Sequence, residues 1–352
     1  MGLPRSRYVK DGEIGMYHCF CRCVRRAFLS GYDPITKRDF SHRKTWLLER
    51  LRYLATIFAI EVWAYAIMDN HYHTLLRTRP DIVAIWSDRE VATRWLTLFP
   101  KHRPEGDSPP VPTEEEIQTL ISCPKRIAQL RQRLCSISWF MAQLNEFIAR
   151  AANQEDNVKG RFWESRFKCQ ALLDAPAITA CMVYVDLNPI RAGLARSPEE
   201  SKFTSIYQRI QAWQNQTTTA ITLNTPSPSP SPQNYLTQPQ SLDQQTTSPN
   251  WLRPICSVAS QPAILPITEL EYFDLVDQSA RISGPHKGSI SPSLAPILMR
   301  IGVNPQAWPD TISHFGSKFC LAAGLLSNLR NFAQQIGLHW LKGLTMARIA
   351  FA

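Results

Sequence analysis

The chain has 352 residues, 44% of them apolar, which is enough to build two domains around a sizeable core. It carries 39 Lys+Arg against 29 Asp+Glu, a formal net charge of +10. That excess suggests a polyanionic partner, usually nucleic acid, and an absence of apolar runs of about 18 residues excludes a helical membrane span.

The opening "MGLPRSRYVKDGEIG" is polar and charged, so no secretory leader is expected. The nine cysteines are odd in number and fit free thiols in a reducing cytosol better than a disulfide framework. Residues 16–23 are expected to form a strand. Within it "HCFCRCV" alternates, placing Cys19, Cys21 and Cys23 on one face as small core residues. Residues 41–57 have helical spacing at Trp46, Leu47, Leu51 and Leu54, with Ser41 as N-cap.

Residues 57–67 are rich in β-branched and aromatic side chains and are expected to be a strand. "MDN" makes a turn, and 71–77 returns as a second strand. "KHRPEGDSPPVPTEEE" is expected to be a loop. Residues 126–152 carry one apolar stripe from Ile127 to Ile148 and are expected to form a single long helix. Asp174 caps the next helix, with Pro176 in its first turn, and that helix is expected to run to Asn188, before Pro189. This order implies an α+β fold in which helices flank an antiparallel sheet.

From Ile210 to Leu242 no residue is charged, and the segment contains "NTPSPSPSPQN". Such a composition buries too little apolar area to offset the entropy of ordering. The expected division is therefore a domain at 1–212, a disordered Pro/Ser/Thr/Gln-rich linker at 213–262 and a small helical accessory domain at 263–352. Protease is expected to cut first in the linker, and a chain ending near Trp213 is expected to keep the chemistry.

Two histidines mark the second strand of the pair. His71 and His73 are i and i+2, so they share a face roughly 7 Å apart at Cα, given a rise of about 3.3 Å per residue. Both imidazoles can reach one divalent ion, while Tyr72 points the other way. A satisfied core pair is the competing reading. In "YVDLNPIRAG", Tyr184 and Asn188 are i and i+4 on one helix face. In "GRFWESRFK", Arg161, Arg166 and Lys168 interleave with Phe162, Trp163 and Phe167. That pattern suits phosphate contacts and base stacking, and equally a half-buried strand with solvated charges.

"YHCFCR", "YAIMDNHYHTLL", "GRFWESRFKCQALLD" and "YVDLNPIRAG" occur in that order. The ordered set resembles the single-tyrosine HUH transposases, and most closely the REP-associated tyrosine transposase branch, over about residues 1–212. The resemblance implies that His71 and His73 bind a divalent ion on the sheet and that Tyr184 attacks a DNA phosphodiester. It implies Asn188 as third metal ligand, with Asp69 and Asp186 as competitors. It further implies a 5′-phosphotyrosine intermediate with a free 3′-hydroxyl, and hairpin DNA with single-stranded flanks as substrate. Mixed imidazole and oxygen ligands suit Mg²⁺ or Mn²⁺. Arg161, Trp163, Arg166 and Lys168 are the expected DNA contacts. The expected partner is DNA, with no membrane partner. A homodimer is allowed, and the expected location is the cytoplasm, at the nucleoid. An HUH nickase and a catalytically idle DNA-binding protein are the rival readings.

Overall fold

The structure, a computed structural model, describes residues 3–24, 30–33, 37–101, 111–223, 251–255, 264–283 and 293–351. Strand β1 (Met16–Arg22) is followed by a two-stranded ribbon, β2 (Tyr32–Asp33) with β3 (Arg38–Asp39). Helix α1 (Arg43–Ile57) leads into β4 (Ile60–Ile67), which turns into β5 (His71–Thr78). Leu47, Leu51 and Leu54 of α1 are fully buried, as their helical spacing requires. Ser41 is not a cap: its backbone N–H and hydroxyl both donate to Asp39 Oδ1, and α1 begins two residues later.

Four helices follow β5: α2 (Pro80–Ile85), α3 (Asp88–Leu98), α4 (Glu114–Ile121) and α5 (Pro124–Leu134). Thr113 and Glu116 form a reciprocal capping box at the start of α4, inside the stretch expected to be a loop. Residues 102–110 of that stretch lie outside the described residues. The single helix expected over 126–152 is two helices, α5 and α6 (Ile137–Glu155). Ser136 is extended, and the Leu134 carbonyl accepts from Ala59 N–H at 2.9 Å instead of continuing the helical ladder. The apolar stripe continues across the break, so its periodicity does not mark it.

Strand β6 (Lys168–Leu172) precedes α7 (Ala175–Asp186) and the short α8 (Asn188–Arg191). Asp174 caps α7 as expected, accepting from Ala177 N–H at 3.1 Å. Pro189 sits in the first turn of α8, where a missing N–H is tolerated, and α7 stops at Asp186. Helix α9 (Ser205–Leu223) extends into the expected linker. Residues 251–255 run along the edge of β4, with Arg253 N–H donating to Val62 O at 2.8 Å. The rest of the expected linker, 224–250 and 256–263, lies outside the described residues.

The C-terminal part is helical as expected: α10 (Glu269–Ser283), α11 (Leu294–Arg300), α12 (Trp308–Lys318), α13 (Leu326–Gln335) and α14 (Leu344–Ala350). Between α12 and α13, β7 (Ala322–Ala323) completes a sheet of order β4-β5-β1-β6-β7. Every pairing in that sheet is antiparallel except β6 with β7. The molecule is thus α+β, an antiparallel sheet flanked by helices, extended at one edge by a parallel strand from the C-terminal part. Ala171 N–H donates to Leu321 O, and Leu173 N–H to Ala323 O.

Trp308, Ile312, Phe315 and Phe319 are buried in a core that also contains α7 and the sheet. At about 1.5–3 kcal/mol per buried side chain, these four contribute on the order of 6–12 kcal/mol. A whole domain is stable by only about 5–15 kcal/mol, so α12 is part of the fold and not a loosely attached appendage. No helix among the described residues is long and apolar enough to cross a membrane.

Candidate active site

Antiparallel register sets which side chains share a face. His18, Phe20 and Arg22 of β1 stand opposite Leu75, His73 and His71 of β5. On the other side His18 stands opposite Gln170 of β6, and Phe20 opposite Lys168. Directly opposed residues project to one face. One face of the sheet therefore gathers His18, Phe20, His71, His73, Lys168 and Gln170. The opposite face takes Tyr72, Cys19 and Cys21, all buried. The thiols there are pushed up by burial, Cys21 to about 12, and no metal cluster forms among them.

Helix α7 lies across the histidine face. Its residues are apolar almost all round, and ten of them are buried. Ala64 and Ala66 of β4 pair with Leu75 and His73, and their short side chains let the helix approach. This seating turns half-buried Tyr184 toward the imidazoles. Its ring centroid lies 5.8 Å from His73 and 6.1 Å from His18, edge-on to both.

His71 and His73 have ring centroids 5.1 Å apart and nearly perpendicular planes. With Tyr184 they line one pocket of about 230 Å³, which Arg22, Arg166 and Lys168 also line. Burial pulls His71 down to about 4, with the Arg22 charge adding to it, and holds His73 well below the usual imidazole range. Both rings are neutral at pH 7, as metal ligation requires.

A chain of hydrogen bonds bears on which ring nitrogen carries the proton. His18 Nδ1 lies 3.4 Å from Gln170 Oε1, and His18 Nε2 lies 2.9 Å from His73 Nδ1. The amide oxygen only accepts, so His18 donates from Nδ1 and accepts at Nε2 from His73 Nδ1–H. His73 Nε2 then carries a lone pair. His71 Nδ1 lies 2.5 Å from Asn70 Oδ1, which leaves His71 Nε2 as its lone-pair nitrogen too. His18 and Gln170 were not among the expected site residues. The signal was present in "YHCFCR": strand alternation puts His18 on the face opposite the alternating cysteines.

The remaining expected residues are placed as follows. Asn188 does not line the pocket, and its amide Nδ2 donates to Tyr184 O at 3.0 Å and Val185 O at 3.2 Å. Asp186 is fully buried, accepts from Ser205 Oγ, Ile206 N–H and Tyr272 Oη, and does not line the pocket. Asp69 pairs with Lys44 at 2.8 Å. Among the described residues no group of three or more His, Cys, Asp or Glu is placed to hold a metal ion. Arg166 and Lys168 are exposed on the pocket rim, whereas Arg161 is exposed but does not line it. Trp163 is half-buried: its Nε1–H donates to Asn145 O at 2.9 Å and its ring packs on Tyr72 and Phe162. Phe167 is buried under the Arg5 guanidinium. The aromatics of "RFWESRF" are committed to packing, and the basic residues face solvent.

Burial also raises the Tyr184 phenol above its ordinary value, and the Arg191 charge pulls it back. The Arg191 guanidinium carbon lies 4.9 Å over the Tyr184 ring.

No protein-family model and no curated protein matches this chain. Among solved structures, that of a REP-associated tyrosine transposase bound to a REP hairpin aligns with it at 13% identity and a TM-score of 0.35. The alignment covers 60% of this chain and 86% of that one.

Proposed function

We propose that the protein cleaves and rejoins single-stranded DNA through a covalent bond to Tyr184, in the manner of a DNA transposase. One observation carries this reading: a half-buried tyrosine shares a pocket with two neutral histidines and a basic rim of Arg22, Arg166 and Lys168. The order of motifs quoted from the sequence supports it.

In the proposed step the Tyr184 hydroxyl gives its proton to solvent, which returns one to the departing 3′ oxygen, and Oη attacks a backbone phosphorus. The Oη–P bond forms as the P–O3′ bond breaks. The products are a 5′-phosphotyrosine and a 3′-hydroxyl. The number of phosphoester bonds is unchanged, so attack by a 3′-hydroxyl reverses the step and rejoins a strand. An ordinary phenol ionises near pH 10 and burial raises Tyr184 further, while the positive charge of Arg191 beside it opposes that rise and favours the phenolate.

A divalent ion such as Mg²⁺ or Mn²⁺ would be held by His71 and His73 through their Nε2 atoms. When bound, it would stabilise charge developing on the phosphate oxygens. The two imidazoles fit that role in being neutral and in lining the same pocket. Asn188 fits poorly as third ligand, since its amide is turned back onto α7, and that placement favours the second reading, a DNA-binding protein without cleavage.

The two readings separate in one experiment. Hairpin DNA with an unpaired flank is incubated with the protein and Mn²⁺, then resolved under denaturing conditions. Wild type is expected to carry DNA covalently and Tyr184→Phe none, with binding of both within about twofold. Hairpin binding by the wild type with no adduct at any divalent ion would leave the idle reading standing.

A further inference from the structure

Cleavage as proposed uses residues of the first 212 positions, yet the face of Tyr184 turned away from the histidines is covered by the C-terminal part. Three contacts make that cover specific. A Cβ on Gly316 of α12 would lie 2.6 Å from Tyr184 Oη and 3.1 Å from its Cζ. The Phe315 ring lies 5.7 Å from the Tyr184 ring, inclined by 34°. Arg191 donates from Nη1 to Ile312 O at 3.3 Å and from Nη2 to Ser313 O at 2.5 Å, while its guanidinium carbon sits over the Tyr184 ring. These residues occupy adjoining turns of one helix.

We propose that α12 is the seat of the nucleophile, with Gly316 and Arg191 as positioning residues that hold the Tyr184 hydroxyl in line for attack. The inference rests on the reading of Tyr184 as nucleophile. Its chemical logic is that of orientation: a misplacement of about 1 Å can cost on the order of a hundredfold in rate. A tyrosine held only by the histidine side would keep an open half-space to swing into. Backbone at 316 closes that space, and only glycine leaves room for the oxygen. Arg191 ties the same helix to the ring, so its charge and the ring stay in register.

A movable lid would account for the same contacts but not for their surroundings. The segment after α12 is hydrogen-bonded into the sheet as β7. Asp174 Oδ2 accepts from Leu325 N–H at 2.7 Å and from Asn328 Nδ2 at 2.9 Å. Tyr272 Oη donates to Asp186, two residues beyond the tyrosine, at 2.6 Å. The cover is built in at several points around α7.

The test uses full-length Gly316→Ala, Arg191→Lys, Tyr184→Phe and the double variant Gly316→Ala/Tyr184→Phe, on hairpin DNA with an unpaired flank. With DNA saturating, Gly316→Ala is expected to slow single-turnover adduct formation at least tenfold, with Kd within twofold of wild type. Its Tm should fall, and Tyr184→Phe in the same chain should restore it, because the clashing oxygen is gone. Arg191→Lys keeps the charge but loses the paired carbonyl contacts, and should slow adduct formation similarly at unchanged Kd. It carries the test alone if Gly316→Ala does not fold. Wild-type adduct rates in either single variant, or a Tm loss that Tyr184→Phe does not relieve, overturn the seat while leaving the nucleophile in place. Adduct formation by Tyr184→Phe itself, or none by the wild type, overturns the nucleophile and the seat with it.

Discussion

Single side chains in the basic-aromatic block divide into two roles that composition alone does not separate. Trp163 packs on Tyr72 and Phe162 and donates to a backbone carbonyl, while Arg166 stands exposed at the pocket rim. Trp163→Ala should therefore cost stability, about 2–3 kcal/mol for a half-buried indole, and leave DNA affinity near wild type. Arg166→Ala should do the reverse: stability unchanged, and a dependence of log Kd on log salt flatter by about 0.7, the increment for one phosphate on a single strand. Thermal melts and binding isotherms at several salt concentrations measure both. An affinity loss in Trp163→Ala without a change in Tm would return the indole to the DNA path.

Among elements, α7 depends most on a single residue. Asp174 caps its first turn through Oδ1 and, through Oδ2, holds Leu325 N–H and the Asn328 amide. One carboxylate thus fixes both the helix that carries Tyr184 and the chain that follows β7. Asp174→Ala should cost more than a cap alone. We expect about 2–4 kcal/mol, about 1 from the cap and the rest from the half-buried donors left unpaired. Asp174→Asn keeps one acceptor and should recover part of it. Denaturant midpoints for the two variants read this directly, and a loss in Asp174→Ala limited to about 1 kcal/mol would mean that the C-terminal contacts contribute nothing.

For the molecule as a whole, the cysteines report how tightly the sheet is covered. Among the described residues Cys19, Cys21, Cys23, Cys135, Cys169 and Cys181 are buried free thiols, whereas Cys123 and Cys320 are exposed. Burial raises Cys21 and Cys23 to about 12 and Cys19 and Cys181 well above the usual thiol range. The thiolate is the reactive form, and a raised pKa keeps these groups protonated through pH 8 and beyond. Iodoacetamide at pH 8 should label Cys123 and Cys320 in minutes and the six buried thiols only after unfolding, as peptide mapping would show. Early labelling of Cys19 or Cys21 would mean that the helices leave the sheet. The sequence alone predicts that a chain ending near Trp213 keeps its chemistry. In the structure that cut removes β7, the Leu325 and Asn328 partners of Asp174, the Tyr272 partner of Asp186, and the buried Trp308, Ile312, Phe315 and Phe319, so such a fragment should label rapidly at every cysteine.

Much of the first 212 positions was legible from local pattern. Strand alternation in "HCFCRCV" and "HYHTLL", helical spacing in α1, and the Asp174 cap with its proline act through neighbours a few residues away, so they leave a mark in the sequence. Alternation also places His71 and His73 together, and by the same rule His18. What pattern does not carry is which distant group takes a given hydrogen bond. The break between α5 and α6 depends on Ala59 reaching the Leu134 carbonyl, and the turn of Asn188 depends on the carbonyls at the end of α7. The seating of Tyr184 against Gly316 joins residues 132 positions apart. A glycine inside a helix has no local signature of the side chain it makes room for. Only the packing of α12 onto α7, driven by apolar burial that has no preferred sequence partner, decides that the C-terminal part stands at the tyrosine.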